Sequence, residues 1–272
     1  MVKPGEISKK ANSVGVEDRQ IEKDYVISWL LFGISKNEQL SQLLAFKGGT
    51  VLKKVYFQDY RFSEDLDFTL LDDNVDDSLL ELEFQQILAF IKEECGIGFQ
   101  VVKANHNQHD TYSFYLEYVT SLGGNFNTAR KVKIDITRHE VMEYETEMKP
   151  VFLEYSDLQQ EYLVQCYSLS EVVIEKMAAL MGRSQPRDLY DLWHLIEERS
   201  IDMVDYWFEF ESKAENKNVR PEEFTSVVLK KEQTFKKRWE KSLKHQVRDL
   251  PEYGEVFREF SRHLRTIDKF TK

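Results

Sequence analysis

The sequence predicts an α+β fold, with a mixed sheet and helices in an amino-terminal lobe and helices alone in a carboxy-terminal lobe. Two stretches, 17–35 and 79–94, carry apolar residues near helical spacing, and four shorter runs are apolar or alternating, as is typical of strands. The patterns turn mainly helical after about Pro150, so we place the two domains at 1–150 and 151–272. The strand-like runs are residues 65–71, 98–103, 111–119 and 130–137.

The composition is that of an ordinary folded protein whose charge is unevenly distributed. Hydrophobic residues make up 42% of the chain, no run approaches the ~20 apolar residues that span a membrane, and the first residues lack an apolar signal region. We therefore expect a cytoplasmic protein with no membrane partner, in which Cys95 and Cys166 are reduced structural thiols.

The net charge of −11 combines −17 before Lys213 with +6 from Lys213 onward. Because contacts with phosphate dominate nucleic-acid affinity, the acidic body argues against indiscriminate binding to nucleic acid. The basic tail permits a localised contact.

Local signals mark the elements of the amino-terminal lobe. The stretch Gly48-Gly49-Thr50 predicts a tight turn that opens a helix at 51–57. The acidic residues at 72–77 predict a solvated turn and the start of the helix at 79–94. The stretch Gly123-Gly124-Asn125 predicts a hairpin connection between two strands.

Capping residues mark the helices of the carboxy-terminal lobe. Ser170 predicts the beginning of a helix at 171–181, and Pro186 that of a helix ending near Glu198. Two further helices are predicted at 222–245 and 252–269.

Two carboxylates in the first strand-like run are candidate metal ligands. Asp65 and Asp67 are two residues apart, so on a strand both project from one face, where they repel each other unless a cation lies between them. Mg²⁺ suits such a pair, because it takes carboxylate oxygens at about 2.1 Å and shares its shell with substrate phosphates. If the strand at 130–137 pairs with this one, Asp135 adds a third carboxylate, and three can hold two metal ions for nucleotidyl transfer. The alternative is a solvated strand end.

The glycine pair before this strand is a candidate phosphate-binding turn. Backbone N–H groups of Gly48, Gly49 and Thr50 at the beginning of a helix could bind phosphate, and Lys47 is a further candidate for a phosphate contact. We add Ser63, which lies close to the carboxylate pair in sequence, to the nucleotide-binding set. The stretch lacks the ending of a Walker loop, and a simple tight turn is the alternative.

Oppositely charged residues gather on two consecutive helices of the carboxy-terminal lobe. Lys176 could be a cation for the triphosphate or for the leaving pyrophosphate, with Asp188 or Asp191 holding Lys176 or Arg187 in position. Arg187 and Asp191 are four residues apart, a spacing that makes them neighbours on a helix. The alternative is a surface salt-bridge network between antiparallel helices.

Two further groups of side chains have a simpler interpretation. Lysines between 230 and 244 gather on one side of a helix, where a solvated basic face is commoner than a contact with an RNA backbone. We assign His106 and His109 to a polar loop rather than to a metal site, because no strand or helix fixes their geometry. The lysines of this face are Lys230, Lys237, Lys241 and Lys244.

Five stretches, in this order, resemble the AbiEii/AbiGii toxin family of nucleotidyltransferases, the toxins of bacterial type IV toxin–antitoxin and phage-abortive infection systems. They cover roughly residues 20–195, and no motif covers the residues after about 200. The matching stretches are Glu22-Lys23-Asp24-Tyr25, Lys47-Gly48-Gly49-Thr50, Arg61-Phe62-Ser63-Glu64-Asp65-Leu66-Asp67, Lys131-Val132-Lys133-Ile134-Asp135, and Glu175-Lys176 with Arg187-Asp188-Leu189-Tyr190-Asp191.

The resemblance implies a polymerase-β-like nucleotidyltransferase fold with an appended helical region, and Mg²⁺-dependent transfer of a nucleoside monophosphate from a nucleoside triphosphate. Relatives that modify the 3′ acceptor end of tRNA block translation and are held in check by an antitoxin, so a tRNA acceptor and a cognate antitoxin are the implied partners. The implied site residues are Gly48, Gly49 and Thr50 for phosphate, Asp65 and Asp67 for metal, Lys176 and Asp191 for the nucleotide, and Asp135 as a third carboxylate.

Three other functions remain open from the sequence. Transfer onto a protein hydroxyl or a small molecule suits the acidic body better than transfer onto RNA. A nucleotide-sensing protein without turnover would use its helical lobe to dock a partner, although Asp65, Asp67 and Lys176 favour turnover. A metal-dependent nuclease would need carboxylates but no glycine turn, and a triphosphate requirement would separate it from a transferase.

Overall fold

A seven-stranded mixed sheet organises the first of the two units into which the computed structural model divides. The structure describes residues 1–102, 111–123, 126, 130–217 and 219–271. His106, His109, Lys103, Gly124 and Asn125 lie outside the described residues, so their predicted placement in loops, a strand and a hairpin is not addressed by the structure. The first unit is Met1–Glu140 with Thr146–Tyr167, and the second is Val141–Glu145 with Ser168–Lys272.

The sheet has the order β3-β4-β5-β2-β1-β7-β6. The β2–β5 and β1–β7 pairs are parallel and the other neighbours are antiparallel. The central strand β2 therefore has a parallel neighbour on one side and an antiparallel neighbour on the other. The strands are β1 (Leu44–Lys47), β2 (Asp65–Leu70), β3 (Gly98–Val102), β4 (Thr111–Val119), β5 (Arg130–Thr137), β6 (Glu147–Pro150) and β7 (Leu163–Cys166).

Helices of the first unit supply a large share of its apolar core. The second helix is buried along most of its length, and the fifth has one buried face that includes Leu80, Phe84, Ile87 and Ile91. The helices are α1 (Pro4–Val14), α2 (Asp18–Lys36), α3 (Leu40–Leu43), α4 (Gly48–Val51), which continues into a π-helical turn (Leu52–Tyr56), and α5 (Asp77–Cys95).

The mixed α+β architecture is confirmed, and the observed strands β2, β4 and β5 match the predicted ones to within one residue. Three strands have no counterpart in the sequence-based assignment: β1, β6 and β7. Each has only four residues, too few for an alternating pattern to be recognised. Because β7 pairs with β1, residues 151–167 belong to the first unit and not to the helical lobe that begins at 151 in the sequence-based division.

A buried ionic cluster joins four segments of the first unit. Lys54, in the π-helical turn, is 0% exposed, and its ammonium lies 2.6 Å from a carboxylate oxygen of Asp24 and 2.9 Å from one of Glu154. Glu154 also binds Lys53 at 3.0 Å and Lys10 at 3.2 Å. Burial acts to lower the pKa of Lys54, but the two carboxylates outweigh it and raise that pKa. The stretch 22–25, one of the five on which the family resemblance rests, thus contributes Asp24 to internal structure.

Replacing Lys54 with Met should strongly destabilise the first unit, because the substitution leaves the buried Asp24 carboxylate without its cation. Removing one partner of a buried ion pair typically lowers the free energy of unfolding by about 3–5 kcal/mol. Urea unfolding of the variant measures the change. Lys9→Met, on the exposed face of α1, is the matched control, expected within about 0.5 kcal/mol of wild type. A loss below about 1 kcal/mol in Lys54→Met would contradict the assigned role of the cluster.

The second unit is helical, as predicted, but two of its predicted boundaries are wrong. The hydroxyl of Ser168, not Ser170, accepts the Glu171 N–H at 3.2 Å and caps the first helix. The predicted helix at 222–245 is interrupted at Lys231, which separates two helices. The helices are α6 (Leu169–Gly182), α7 (Pro186–Glu197), α8 (Trp207–Asn216), α9 (Phe224–Lys230), α10 (Glu232–Leu243) and α11 (Tyr253–Phe270).

The segment 141–145 is fastened to the helices of the second unit by a buried carboxylate. One oxygen of Glu171 accepts the backbone N–H groups of Glu143 and Tyr144, both at 2.9 Å, and the other lies 2.6 Å from the ammonium of Lys213. Lys213 also donates to the Val141 carbonyl at 2.9 Å. This hydrogen bonding explains why five residues from a distant part of the sequence belong to the helical unit.

No helix among the described residues is long and apolar enough to cross a membrane.

Candidate active site

The glycine turn lies where β1 ends and α4 begins, directly beside the carboxylates of β2. Gly48 has φ +79°, a conformation that favours glycine. A Cβ atom at Gly48 would collide with the carboxylate of Asp67, so the absence of a side chain is what lets the two strands bring the turn and this carboxylate together. Thr50 donates its hydroxyl to the Asp65 carbonyl at 2.6 Å, which leaves its backbone N–H as its possible contribution to phosphate binding.

The two β2 carboxylates project from one face of the strand, as predicted. Asp65 and Asp67 are partly exposed, while Leu66 and Phe68 between and after them are buried. Asp67 is paired in register with Lys47 of β1 on one side and with Asp135 of β5 on the other. The structure therefore brings Lys47, Asp67 and Asp135 together on adjacent strands, with Gly48 directly after Lys47.

Asp135 lies beside Asp67 as expected, but both of its carboxylate oxygens accept hydrogen bonds. Ser113 of β4 donates to one at 2.5 Å, and the Lys133 ammonium lies 2.6 Å from the other. Burial acts to lower the pKa of Lys133, but Asp135 and the nearby charge of Asp65 outweigh it and raise that pKa. Lys133 therefore stays charged and partly neutralises the acidic strand face. The roles of Asp135 as metal ligand or general base stay predictions.

The carboxylates of the site fit a magnesium ion whose coordination shell is completed by substrate phosphates and water. No group of three or more His, Cys, Asp or Glu side chains within the described ranges is arranged to hold a metal ion. Mg²⁺ does not need such a group, because it commonly binds one or two carboxylates together with substrate phosphates and water. Asp65 and Asp67, next to a glycine turn that can bind phosphate, supply that minimal set. The chemistry of the residues present is thus consistent with the predicted metal.

The other two predicted residues of the first unit, Lys47 and Ser63, are buried. Lys47 is 6% exposed, and its ammonium lies 3.6 Å from Glu140 and 5.6 Å from the centre of the Tyr167 ring. Ser63 is 6% exposed, and its carbonyl accepts a hydrogen bond from Gln20 at 3.3 Å. Lys47 therefore belongs to the wall of the site, with a carboxylate close to its ammonium.

Sequence reasoning missed three side chains of this site. Alternation alone predicts that Lys133 lies on the same strand face as Asp135, two residues before it, but it does not indicate a role in the site. Ser113 needs the β4–β5 register, and Glu140 needs the path of the chain after β5, neither of which is encoded in a local pattern.

In the second unit, Lys176, Asp188 and Asp191 form one buried cluster. The Lys176 ammonium lies 2.7 Å from Asp191 and 3.1 Å from Asp188. Arg183 binds Asp188 through two nitrogens, at 2.7 and 3.0 Å. Both aspartates contact Lys176, and their predicted role in holding it for a nucleotide stays a prediction. Asp188 also binds Arg183. The predicted partner Arg187 is half-buried on α7.

This cluster makes the stability of the second unit depend on pH. Burial acts to raise the pKa of Asp188, but Lys176 and Arg183 outweigh it and hold the pKa below the usual value of about 3.9. A carboxylate with a lowered pKa contributes stability above its unfolded-state pKa and loses it as the pH falls through the folded-state pKa. Wild type should therefore exceed Asp188→Asn in stability above about pH 4, with the difference shrinking at lower pH. Urea unfolding between pH 3 and 6 measures this difference, and a constant one would contradict the ionic role.

A glycine turn that meets a pair of strand carboxylates can bind a phosphate group together with a metal ion, as nucleotidyl transfer requires. The chain belongs to the AbiEii family: the family model described as nucleotidyl transferase AbiEii toxin, type IV toxin–antitoxin system, matches residues 29–266. The chain is accordingly a nucleotidyltransferase of a toxin–antitoxin family.

Two solved structures share this fold. The chain resembles MenT4, a nucleotidyltransferase toxin from Mycobacterium tuberculosis H37Rv, with a TM-score of 0.68 and 18% identity over 97% of this chain and 90% of that one. It also resembles a putative nucleotidyltransferase from H. pylori, with a TM-score of 0.59 and 16% identity over 93% of this chain and 96% of that one. A comparison with curated proteins finds no match. At these identities the two structures show the fold alone.

Proposed function

We propose that the chain is a Mg²⁺-dependent toxin that transfers a nucleoside monophosphate from a nucleoside triphosphate to the 3′ end of tRNA and thereby inhibits translation and growth. The observation that carries the proposal is the contact geometry of Gly48 and Asp67, which leaves no room for a side chain between the turn and the carboxylate. A turn that binds phosphate must present its backbone N–H groups, and a residue without a side chain allows this approach.

Each residue of the first-unit site has a distinct task in this proposal. Gly48, Gly49 and the backbone of Thr50 bind phosphate oxygens of the triphosphate. Asp65 and Asp67 would hold Mg²⁺, which when bound neutralises phosphate charge and lowers the pKa of the attacking hydroxyl. Lys133, held between the charges of Asp65 and Asp135, keeps the acidic strand face from accumulating three uncompensated negative charges.

The reaction is an in-line displacement at the α-phosphorus. The acceptor hydroxyl oxygen forms a bond to the α-phosphorus as the bond from that phosphorus to the bridging oxygen breaks. The hydroxyl proton is released, and pyrophosphate leaves with the bonding electron pair. Asp135 is the carboxylate closest in register to Asp67 and is the proposed proton acceptor, after exchange of its Lys133 or Ser113 hydrogen bond.

The second unit adds a separate proposal, carried over from the family resemblance. In this proposal Lys176 contacts the phosphates of the nucleotide, and Asp191 orients the Lys176 side chain. The 2.7 Å contact between the two side chains supports the orienting role of Asp191. The family description, which names a type IV toxin–antitoxin system, supports a cognate antitoxin as a partner.

The acceptor is tested by offering the four α-labelled nucleoside triphosphates, one at a time with Mg²⁺, to total tRNA and to a mixed-protein acceptor. We expect label in tRNA from one preferred triphosphate. Label in protein alone would move the function to protein nucleotidylation. Triphosphate binding without transfer to either acceptor would favour a nucleotide sensor, and RNA cleavage without any triphosphate requirement would favour a nuclease.

A further inference from the structure

Helix α10 presents a dense group of exposed cations opposite its buried face. Phe235, Trp239 and Leu243, spaced four residues apart, pack into the second unit. Lys237, Lys241 and Lys244 lie opposite this apolar row, whereas Lys236 and Arg238 flank it. The residue after the helix, Lys244, keeps helical dihedral angles. The exposed cations, hereafter the α10 basic face, are Lys236, Lys237, Arg238, Lys241 and Lys244.

The charge of the α10 basic face is not neutralised locally. Glu240 is the one acidic residue between 236 and 244. Within the part of the chain that the structure describes, none of the four lysines forms an ion pair within 4.0 Å. Arg238 donates to a backbone carbonyl, that of Ser184, at 3.4 Å. The face is therefore a compact positive region on a chain whose first 212 residues carry a net charge of −17.

The beginning of α10 is fastened to the Lys176 cluster. Lys231 donates to the carbonyls of Leu180 and Met181, both at 2.6 Å, and to that of Arg183 at 3.1 Å, which satisfies the last carbonyls of α6. The Arg183 guanidinium binds Asp188, which also contacts Lys176. The contacts of Lys231 and Arg238 with residues 183 and 184 thus make the α10 basic face continuous with this cluster.

We propose that the α10 basic face binds the phosphodiester backbone of the RNA acceptor. This proposal rests on the proposed function. It adds to that function a surface of the second unit that binds the acceptor. Lys237, Lys241 and Lys244 are spaced by four and three residues, so their positions follow one another at about 4.5–6 Å along the helix axis. Such a row of cations contacts backbone phosphates and does not distinguish base sequences. All the tRNAs in a pool share the same backbone geometry.

The chemistry of the face favours RNA over a protein partner. Protein interfaces depend on buried aromatic and aliphatic anchors, and between 236 and 244 the apolar side chains are all turned into the core. A second row of cations lies on α11, at Arg258, Arg262, Arg265 and Lys269. That row is interrupted, because Arg262 lies 3.8 Å from both Glu197 and Glu259.

Equilibrium binding of the full chain to total tRNA tests the proposal without a triphosphate, so its outcome does not depend on turnover. The variant Lys237→Gln/Lys241→Gln/Lys244→Gln removes three charges from the face. Arg258→Gln/Arg265→Gln/Lys269→Gln removes three exposed charges from α11 and is the matched control. Binding is measured between 50 and 200 mM salt, with poly-glutamate as the competitor.

We expect the α10 variant to bind tRNA at least about tenfold more weakly and to lose about 2–3 units of salt slope, with the α11 control within about threefold of wild type. Equal losses in both variants, no loss in either, or no binding by wild type would overturn the proposal. Poly-glutamate that binds as tightly as tRNA would overturn it in favour of an acidic protein partner. A loss of tRNA binding confined to the α10 variant would support the surface even if transfer to tRNA were never observed.

Discussion

The Asp67→Asn variant should lose about 10²–10⁴-fold in nucleotidyl-transfer rate while keeping its fold. The substitution preserves the shape of the side chain but removes one of the two negative charges that would hold Mg²⁺, and metal stabilisation of the reacting phosphate is worth several kcal/mol. The carboxylate also lies against Gly48, so its amide replacement would place a hydrogen-bond donor where the turn meets the strand. The rate is measured under saturating triphosphate, and the unfolding midpoint is measured in parallel.

Asp59→Asn is the matched control for this prediction. Asp59 is exposed in the turn after the π-helical segment, so its replacement removes the same charge away from the sheet. The control should stay within about twofold of wild type in rate. If the Asp67 variant retained wild-type activity, the β2 carboxylates would not be the metal ligands.

Gly48→Ala should lower both activity and stability. Its φ of +79° strains any residue with a Cβ by about 1–2 kcal/mol, and the added methyl group would displace the Asp67 carboxylate. Because a displacement of about 1 Å in a reacting group can reduce the rate about 10²-fold, we expect a loss of that order. The measurements are the transfer rate and the free energy of unfolding.

Gly254→Ala separates the local effect from a general effect of replacing glycine. Gly254 lies in the first turn of α11 with nothing within 4 Å of an added Cβ, so its substitution should leave the rate unchanged and the stability unchanged or raised by about 0.4–1 kcal/mol. Similar behaviour of the two variants would contradict a special role for the Gly48 turn.

The sequence was sufficient for the parts of the site that depend on local periodicity. The alternation of Asp65, Leu66 and Asp67 predicted two carboxylates on one strand face, and the polar face of the 130–137 strand predicted Asp135 beside them. Both inferences need only the two-residue repeat of a strand and one assumed pairing. The prediction of a Mg²⁺ site then followed, because this hard cation prefers carboxylate oxygens as ligands.

What sequence reasoning could not reach depends on contacts between distant segments. The four-residue strands β1, β6 and β7 gain their pairing from neighbours in the sheet, which no short apolar run reveals. The helix break at Lys231, whose ammonium binds the last carbonyls of α6, is not indicated by the helical propensity of the surrounding residues. The hydrogen bond from Ser113 to Asp135 likewise follows from the β4–β5 register.

The most direct measurement compares α-labelled with γ-labelled nucleoside triphosphate in the presence of Mg²⁺ and total tRNA. Nucleotidyl transfer places the α-label in tRNA and releases the γ-label as pyrophosphate, one for each nucleotide added. We expect this pattern for wild type and its loss in Asp67→Asn. Transfer of the γ-label to the acceptor, or α-label incorporation that persists in Asp67→Asn, would contradict nucleotidyl transfer at the Gly48–Asp67 site.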